Sequence, residues 1–349
     1  MSSRHTAVVG VIANPASGRD IRRLISHASV FPAVEKANMV QRMLGAMGAL
    51  GIERVVMMPD PIGICGSVVR AGERLQASPG LRWPRLDVLD MQLEGSAADT
   101  LAAVERMLEE GVSVIAVIGG DGTNRVVAAR CGNVPLATLS SGTNNVFPDL
   151  REATVTGLAV GLVALGKVPN DVALRRNKVL RVRSNSNTGP ADIALVDVCV
   201  SSLSHVGARA LWNPETLSEL AVTFAESDAV GLSSIPGLLE PLSRDDPRGL
   251  YLELARPGSA SARMNVIAPI APGLVAEIGV ARMQALMPGM PMPLKTARGT
   301  IAFDGEREIE FSDAAQRVVE LDLSGPYTID VDRTLAWAAR NGVLRADSA

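Results

Sequence analysis

The sequence predicts an α/β protein in two parts. Residues 1–168 read as an N-terminal doubly wound, mainly parallel sheet domain, and residues 169–326 as a C-terminal β-rich domain. Three observations carry this. Short β-branched apolar runs alternate with helical patterns as far as Leu139, the order of a parallel sheet with crossover helices. Two of those runs end in small, polar, glycine-bearing turns, at Gly119–Thr123 and at Ser140–Pro148. Beyond Pro169 the segments shorten, alternate and are separated by Gly, Pro and Asn, as in antiparallel strands.

Composition narrows the function classes. The chain has 349 residues, 47% hydrophobic and 20% charged, with a net charge of −3. That balance gives no electrostatic case for nucleic acid or an anionic membrane. No apolar run reaches the length of a membrane span, and no basic-then-apolar leader opens the sequence, so a cytoplasmic protein acting on small molecules is expected. Cys65, Cys131 and Cys199 lie far apart in apolar surroundings and read as reduced core residues. The three histidines, His5, His27 and His205, have no metal-ligand spacing, so acid–base chemistry falls to carboxylates. That suits phosphoryl transfer, where positioning and charge stabilisation dominate.

The elements follow in order. Thr6–Ala13 is a short apolar strand, and Asn14-Pro15-Ala16-Ser17-Gly18-Arg19-Asp20 turns the chain ahead of Arg22 and Arg23. Asn14, Ser17, Gly18 and Arg19 could grip phosphates, or form an Asx-type turn before a basic helix start. Val34–Leu50 is a helix whose stripe of Met39, Met43, Leu44 and Met47 belongs to a core. Arg54–Met58 is a strand ending at Pro59-Asp60-Pro61, with Asp60 a turn former. Ser67–Leu75 is helical, Leu86–Leu89 a strand, and Ala97–Glu110 an amphipathic helix.

Val112–Ile118 then reads as a central strand buried on both faces. It ends in Gly119-Gly120-Asp121-Gly122-Thr123, before a helix opening around Arg125–Arg130. Glycines there let backbone N–H groups approach a phosphate, because no Cβ intervenes. Asp121 could hold Mg²⁺ or take a proton from an attacking hydroxyl; it could equally cap the helix. Val134–Leu139 is the next strand, and its loop would converge with the first on one crevice at the carboxyl edge of the sheet. Gly161–Val168 approaches a Walker A loop but lacks the Ser or Thr after Lys167 and closes a helix-like segment.

In the second part, strands are expected at Val179–Val182, Ile193–Val200, Leu250–Leu254, Asn265–Ala268, Thr300–Phe303 and Glu308–Phe311. A helical insertion is expected around Ala208–Leu220, and a final helix at Asp330–Arg340 within a segment, 327–349, that packs back on the first domain.

Gly-Gly-Asp-Gly-Thr followed by Gly-Thr-Asn-Asn resembles the NAD kinase and diacylglycerol kinase superfamily. The resemblance implies an NAD kinase-like fold. It implies nucleotide contacts from Gly119, Gly120, Gly122, Thr123, Thr143, Asn144 and Asn145, and a metal-linked or catalytic Asp121. The Asn14 loop resembles the superfamily's Asn-Pro-x-Ser-Gly loop, which implies an ATP contact. Where NAD kinases carry an Asn-Glu pair for the nicotinamide riboside, this chain has Val196 and Asp197. Gly231–Gly237 falls near their Gly-Ser-Thr loop, which implies substrate contacts from Ser233 and Ser234. Ala268–Gly273 resembles their Pro-Ile-Ala-Pro turn. Asp304-Gly305-Glu306 resembles the Asp-Gly turn whose acidic pair stands near the reacting hydroxyl in lipid kinases, though the dipeptide is also a strong hairpin turn by itself.

The nearest likeness is to the acetoin catabolism protein X branch, through residues 14–23, 142–148, 206–212 and 303–310. This implies a kinase using ATP or polyphosphate with Mg²⁺ to phosphorylate NAD to NADP. The alternatives are a kinase of another small hydroxyl compound or lipid, and a non-catalytic nucleotide-binding regulator linked to acetoin catabolism. Superfamily members are usually dimers or tetramers, so a homo-oligomer is expected.

Overall fold

The structure, a computed structural model, describes residues 7–15, 27–76, 82–184, 192–205, 211, 213–312 and 317–345. Ser17, Gly18 and Arg19 lie outside the described residues.

The first sheet begins with β1 (Val8–Ala13), β2 (Arg54–Met57), β3 (Arg85–Val88), β4 (Val114–Gly119) and β5 (Leu136–Ser140). They run parallel in the order β3-β2-β1-β4-β5. Every residue of β1 and β4 is buried, which is why these strands read as unbroken apolar runs and not as alternation. Helices α1 (Ala33–Leu50), α2 (Ile64–Gln76), α3 (Ala97–Glu109), α4 (Asp121–Ala128) and α5 (Ala153–Ala164) connect and cover them. Val9 and Val11 face a core with α1, α2 and α5; Val8 and Ile12, on the opposite face, meet α3 and α4. The sheet is therefore doubly wound. Helices α1 and α5 pack so closely that a Cβ on Gly157 would lie 2.6 Å from the Met43 carbonyl oxygen.

After the short α6 (Asn170–Ala173) and β6 (Leu174–Arg176), the chain builds the β-rich part from β7 (Val179–Ser184) and β8 (Asp192–Ala194), then β9 (Asp197–Ser201), β10 (Leu217–Val222) and β11 (Gly249–Ala255). It continues through α7 (Ser234–Gly237), β12 (Met264–Ala271), β13 (Leu274–Leu286), β14 (Met292–Pro293), β15 (Gly299–Phe303), β16 (Glu306–Phe311) and β17 (Arg317–Asp322). An antiparallel sheet of order β12-β13-β11-β10-β9-β15-β16 packs on a smaller one, β14-β17-β7-β8. Leu180, Val182, Val200, Phe303 and Leu321 fill the layer between. The end of the chain returns to the first sheet: β18 (Tyr327–Ile329) pairs parallel with β5 and antiparallel with β6, and α8 (Val331–Arg340) joins the first core.

Three expected elements differ. The insertion around Ala208–Leu220 is not a helix where it is described. It is a 3₁₀ turn at Pro214–Thr216 and then β10, in which buried Glu219 accepts from Tyr251 Oη, the N–H groups of Lys295 and Thr296, and Thr296 Oγ1. The strand expected over Ile193–Val200 breaks at Leu195 and Val196, whose N–H groups go to the Asp304 carboxylate and not to a ladder. The helix expected to open at Arg125 opens at Asp121.

Candidate functional site

The crevice forms at the carboxyl ends of β1, β4 and β5, where parallel sheets place their ligands. Strand β4 stops at Gly119, and Gly120 is the N-cap of α4, so Asp121 is the first helical residue. Its carboxylate accepts from the N–H of Val146 at 3.0 and 3.1 Å and of Phe147 at 2.8 Å. The two glycine-bearing loops are thus latched by the one carboxylate between them. A helix N-terminus with a glycine turn directs N–H groups and a partial positive charge into the crevice, a setting suited to phosphate.

Close approach explains the first two glycines: a Cβ on Gly119 would lie 2.7 Å from Thr123 Cβ and one on Gly120 would lie 2.6 Å from Asn145 Oδ1, whereas one on Gly122 would be in ordinary contact, 3.7 Å from Glu306 Oε1. Asn145 is held in place by donating to Ser140 Oγ at 2.7 Å. Asn14, at the end of β1, donates from Nδ2 to Thr123 Oγ1 at 2.7 Å. Thr143 Oγ1 accepts from the Ser29 N–H at 3.0 Å, which ties this loop to the segment before α1; Asn144 beside it is half-buried. Asn14, Gly119, Gly120, Asp121, Gly122, Thr123, Asn145 and Glu306 are thereby brought together.

Other expected residues sit behind or beside this group. Asp304 and Gly305 form the two-residue turn between β15 and β16, both with positive φ, 51° and 79°. The Asp304 side chain is fully buried, lies 3.7 Å from Arg125 Nε, and accepts from the N–H groups of Leu195, Val196 and Asp197. Burial pushes its carboxyl up to about 6, against the opposing pull of Arg125 and those N–H groups. Val196 turns inward to pack with Phe147, Val179, Leu195 and Phe224. Asp197 is nearly buried beside it. The Gly231 loop meets the crevice at Val146, 3.6 Å from where a Gly231 Cβ would be. Ser234 Oγ donates to the Gly231 carbonyl at 2.7 Å, while the buried Ser233 hydroxyl has no partner among the described residues.

Three cations escaped the sequence reading. Lys36 in α1 is 2% exposed and donates from Nζ to the Asn14 carbonyl at 2.9 Å. Burial brings its ammonium down to about 8, and the negative charge of Asp60 resists the shift. Its signal was its place on the apolar stripe with Val40, Met43 and Met47. Arg244, from the second domain, donates to the carbonyls of Val146 at 2.7 Å and Phe147 at 3.0 Å while paired with Glu226. Arg125 is the third. Neither arginine has a local pattern that announces it. Asp60, expected in a turn, accepts from the N–H groups of Ile62, Ile64 and Cys65 at the start of α2.

Residues 9–168 match the ATP-NAD kinase N-terminal domain, and residues 178–324 match the acetoin catabolism protein X C-terminal domain. The sequence is 43% identical over 347 residues to Acetoin catabolism protein X of Cupriavidus necator, covering 99% of this chain and 96% of that protein. The crystal structure of a candidate diacylglycerol kinase from Bacillus anthracis str. Sterne aligns with a TM-score of 0.44 at 11% identity, over 93% of this chain and 97% of that one. With that identity sustained along nearly its whole length, the chain belongs to the acetoin catabolism protein X family, in which an ATP-NAD kinase N-terminal domain is joined to the family's own C-terminal domain.

Proposed function

We propose that the protein is a kinase that transfers the terminal phosphoryl group of ATP, or of polyphosphate, to a hydroxyl of NAD or a related small molecule. The observation that carries this is the Asp121 latch: one carboxylate at a helix N-terminus aligning two glycine-bearing loops at adjacent strand ends. Backbone N–H groups of Gly119–Thr123 would receive donor phosphates, with Asn14, Thr143, Asn144 and Asn145 shaping the opposite wall. Asp121 would orient a metal ion or receive the acceptor's proton, and Glu306 stands against the same loop. Asp304, being buried, acts as a positioning residue that fixes Leu195–Asp197.

Among the described residues no group of three or more His, Cys, Asp or Glu side chains is placed to hold a metal ion. A set of one or two carboxylates would suit Mg²⁺, which commonly completes its shell with phosphates and water. Asp121 and Glu306 are the residues that would hold it, and it would supply charge neutralisation between phosphate oxygens. The buried Ser233 hydroxyl, without a partner among the described residues, would suit a polar atom of a bound acceptor. No helix among the described residues is long and apolar enough to cross a membrane.

A second reading is a nucleotide-binding regulator without turnover. It is favoured by the placement of both aspartates, whose oxygens already accept backbone N–H groups. The deciding experiment is NADP formation from NAD with Mg²⁺ and either ATP or polyphosphate. Formation by the wild type supports the kinase. Binding of ATP with no phosphoryl transfer to NAD or to other hydroxyl acceptors supports the regulator and overturns it.

A further inference from the structure

A second cavity, of about 880 Å³, lies along the outer side of α4, bounded by the β7–β8 pair and the Ser324–Pro326 turn. That volume is in the range of small-molecule sites. It does not share the crevice loops: beside Leu101 of α3, its wall follows α4 from Arg125 and runs past the helix end to Asn133, toward the amino end of β5. The unusual feature is its charge. Among the described residues five arginines, Arg125, Arg130, Arg176, Arg181 and Arg183, line it against a single carboxylate, Asp192.

The carboxylates that pair with these arginines stand outside the lining. Arg125 is 3.7 Å from Asp304, Arg130 is 3.4 Å from Glu105, and Arg183 is 3.7 Å from Glu320; only the 2.6 Å pair of Arg181 with Asp322 is short. A guanidinium carries five N–H donors, so the single long ion pairs of Arg130 and Arg183 engage only a part of theirs. Arg176 donates to the Ser324 carbonyl at 2.9 Å and to Asn133 Oδ1 at 3.4 Å, and lies 4.3 Å from the Tyr327 ring centroid. Arg181 and Arg183 are two apart on β7, so the pleat sends both to one face while Leu180 and Val182 enter the core. The wall thus carries planar, permanently charged donors, two of them, Arg130 and Arg183, on half-exposed side chains, and such groups can recognise phosphate bidentately.

We propose that this cavity is a binding site for a polyphosphorylated small molecule, distinct from the crevice. The phosphate chain would lie across the arginines, and the apolar part of the wall, which includes Val126, Ile193 and Pro326, would take an attached organic group. Two sources share this chemistry: a nucleoside triphosphate and inorganic tripolyphosphate.

The test is calorimetric titration of the full chain with each probe, ATP and inorganic tripolyphosphate, at low and at physiological salt. Two variants are compared with wild type. Arg181→Gln/Arg183→Gln removes donors from β7. Ile193→Glu keeps every arginine and places a second carboxylate in the cavity. Loss of both arginines is expected to weaken binding at this site on the order of a hundred-fold, and the glutamate by at least about ten-fold. ATP binding in the crevice would persist in both variants, so failure of one site is distinguishable from failure of the other. Tighter binding of ATP than of tripolyphosphate supports a nucleotide occupant; equal binding supports recognition of the phosphate chain alone. Unchanged stoichiometry and affinity in folded variants, or no probe heat beyond that of the crevice, overturns the proposal.

Discussion

Replacing Asp121 in two ways separates its positioning role from a chemical one. In Asp121→Ala the N–H groups of Val146 and Phe147 lose their acceptor. Hydrogen bonds to a charged group contribute about 1.5–3 kcal/mol each, and the lower end applies at a partly exposed loop. Loss of a carboxylate from the first helical turn adds about 0.5 kcal/mol. The sum is a destabilisation of about 3–4 kcal/mol, which a urea unfolding midpoint resolves. Asp121→Asn keeps Oδ1, which accepts from both Val146 at 3.0 Å and Phe147 at 2.8 Å, so it should recover about half of that loss. Both variants should lose phosphoryl transfer if the charge holds metal or receives a proton. An alanine variant within about 0.5 kcal/mol of wild type would refute the latch. An asparagine variant with wild-type turnover would remove Asp121 from the chemistry and leave it as a latch only.

Two further predictions concern buried charges and run in opposite directions. Burial raises the Asp304 carboxyl from 3.8 to about 6 in the fold. Its folded form therefore holds a proton longer than the unfolded chain does, and its contribution falls as pH rises from about 4 to about 6, by up to about 3 kcal/mol. Urea midpoints across that window should slope less in Asp304→Asn, and parallel slopes would count against a buried, titrating Asp304. Lys36 is brought down to about 8 from 10.5, so the unfolded chain binds its proton more strongly and stability rises between about pH 8 and 10.5. Lys36→Met should flatten that rise and loosen the Asn14–Thr123 contact; an unchanged profile would place the ammonium in water.

The parts of this architecture that were legible in the sequence are those fixed by local pattern. Strands β1 and β4 were legible because burial on both faces forbids polar residues over their whole length. The convergence of Gly119–Thr123 with Ser140–Pro148 followed from parallel order alone, since neighbouring parallel strands end at the same edge. Strand β10 was read as helix because Leu-Ser-Glu-Leu-Ala suits either period until Tyr251 and Thr296 are seen to satisfy Glu219. The break at Leu195–Val196 is imposed by Asp304, more than a hundred positions away, and no window of sequence contains both. Arg244 and Arg125 act through the same long-range closure. Lys36 was open to detection: a lysine on a methionine stripe must either snorkel or find an acceptor.

The Val146–Phe147 segment has its amide hydrogens directed to Asp121 of the first domain and its carbonyl oxygens to Arg244 of the second. The peptide group between Val146 and Phe147 cannot rotate without breaking bonds on both sides, so this stretch works as a strain gauge between the halves of the molecule. A hinge motion that parts the domains must either drag the loop away from the sheet or release it from the arginine. Dragging the loop would free the Val146 and Phe147 amide protons to exchange with solvent, whereas release from the arginine would leave them bonded to Asp121, so their exchange tells the two motions apart.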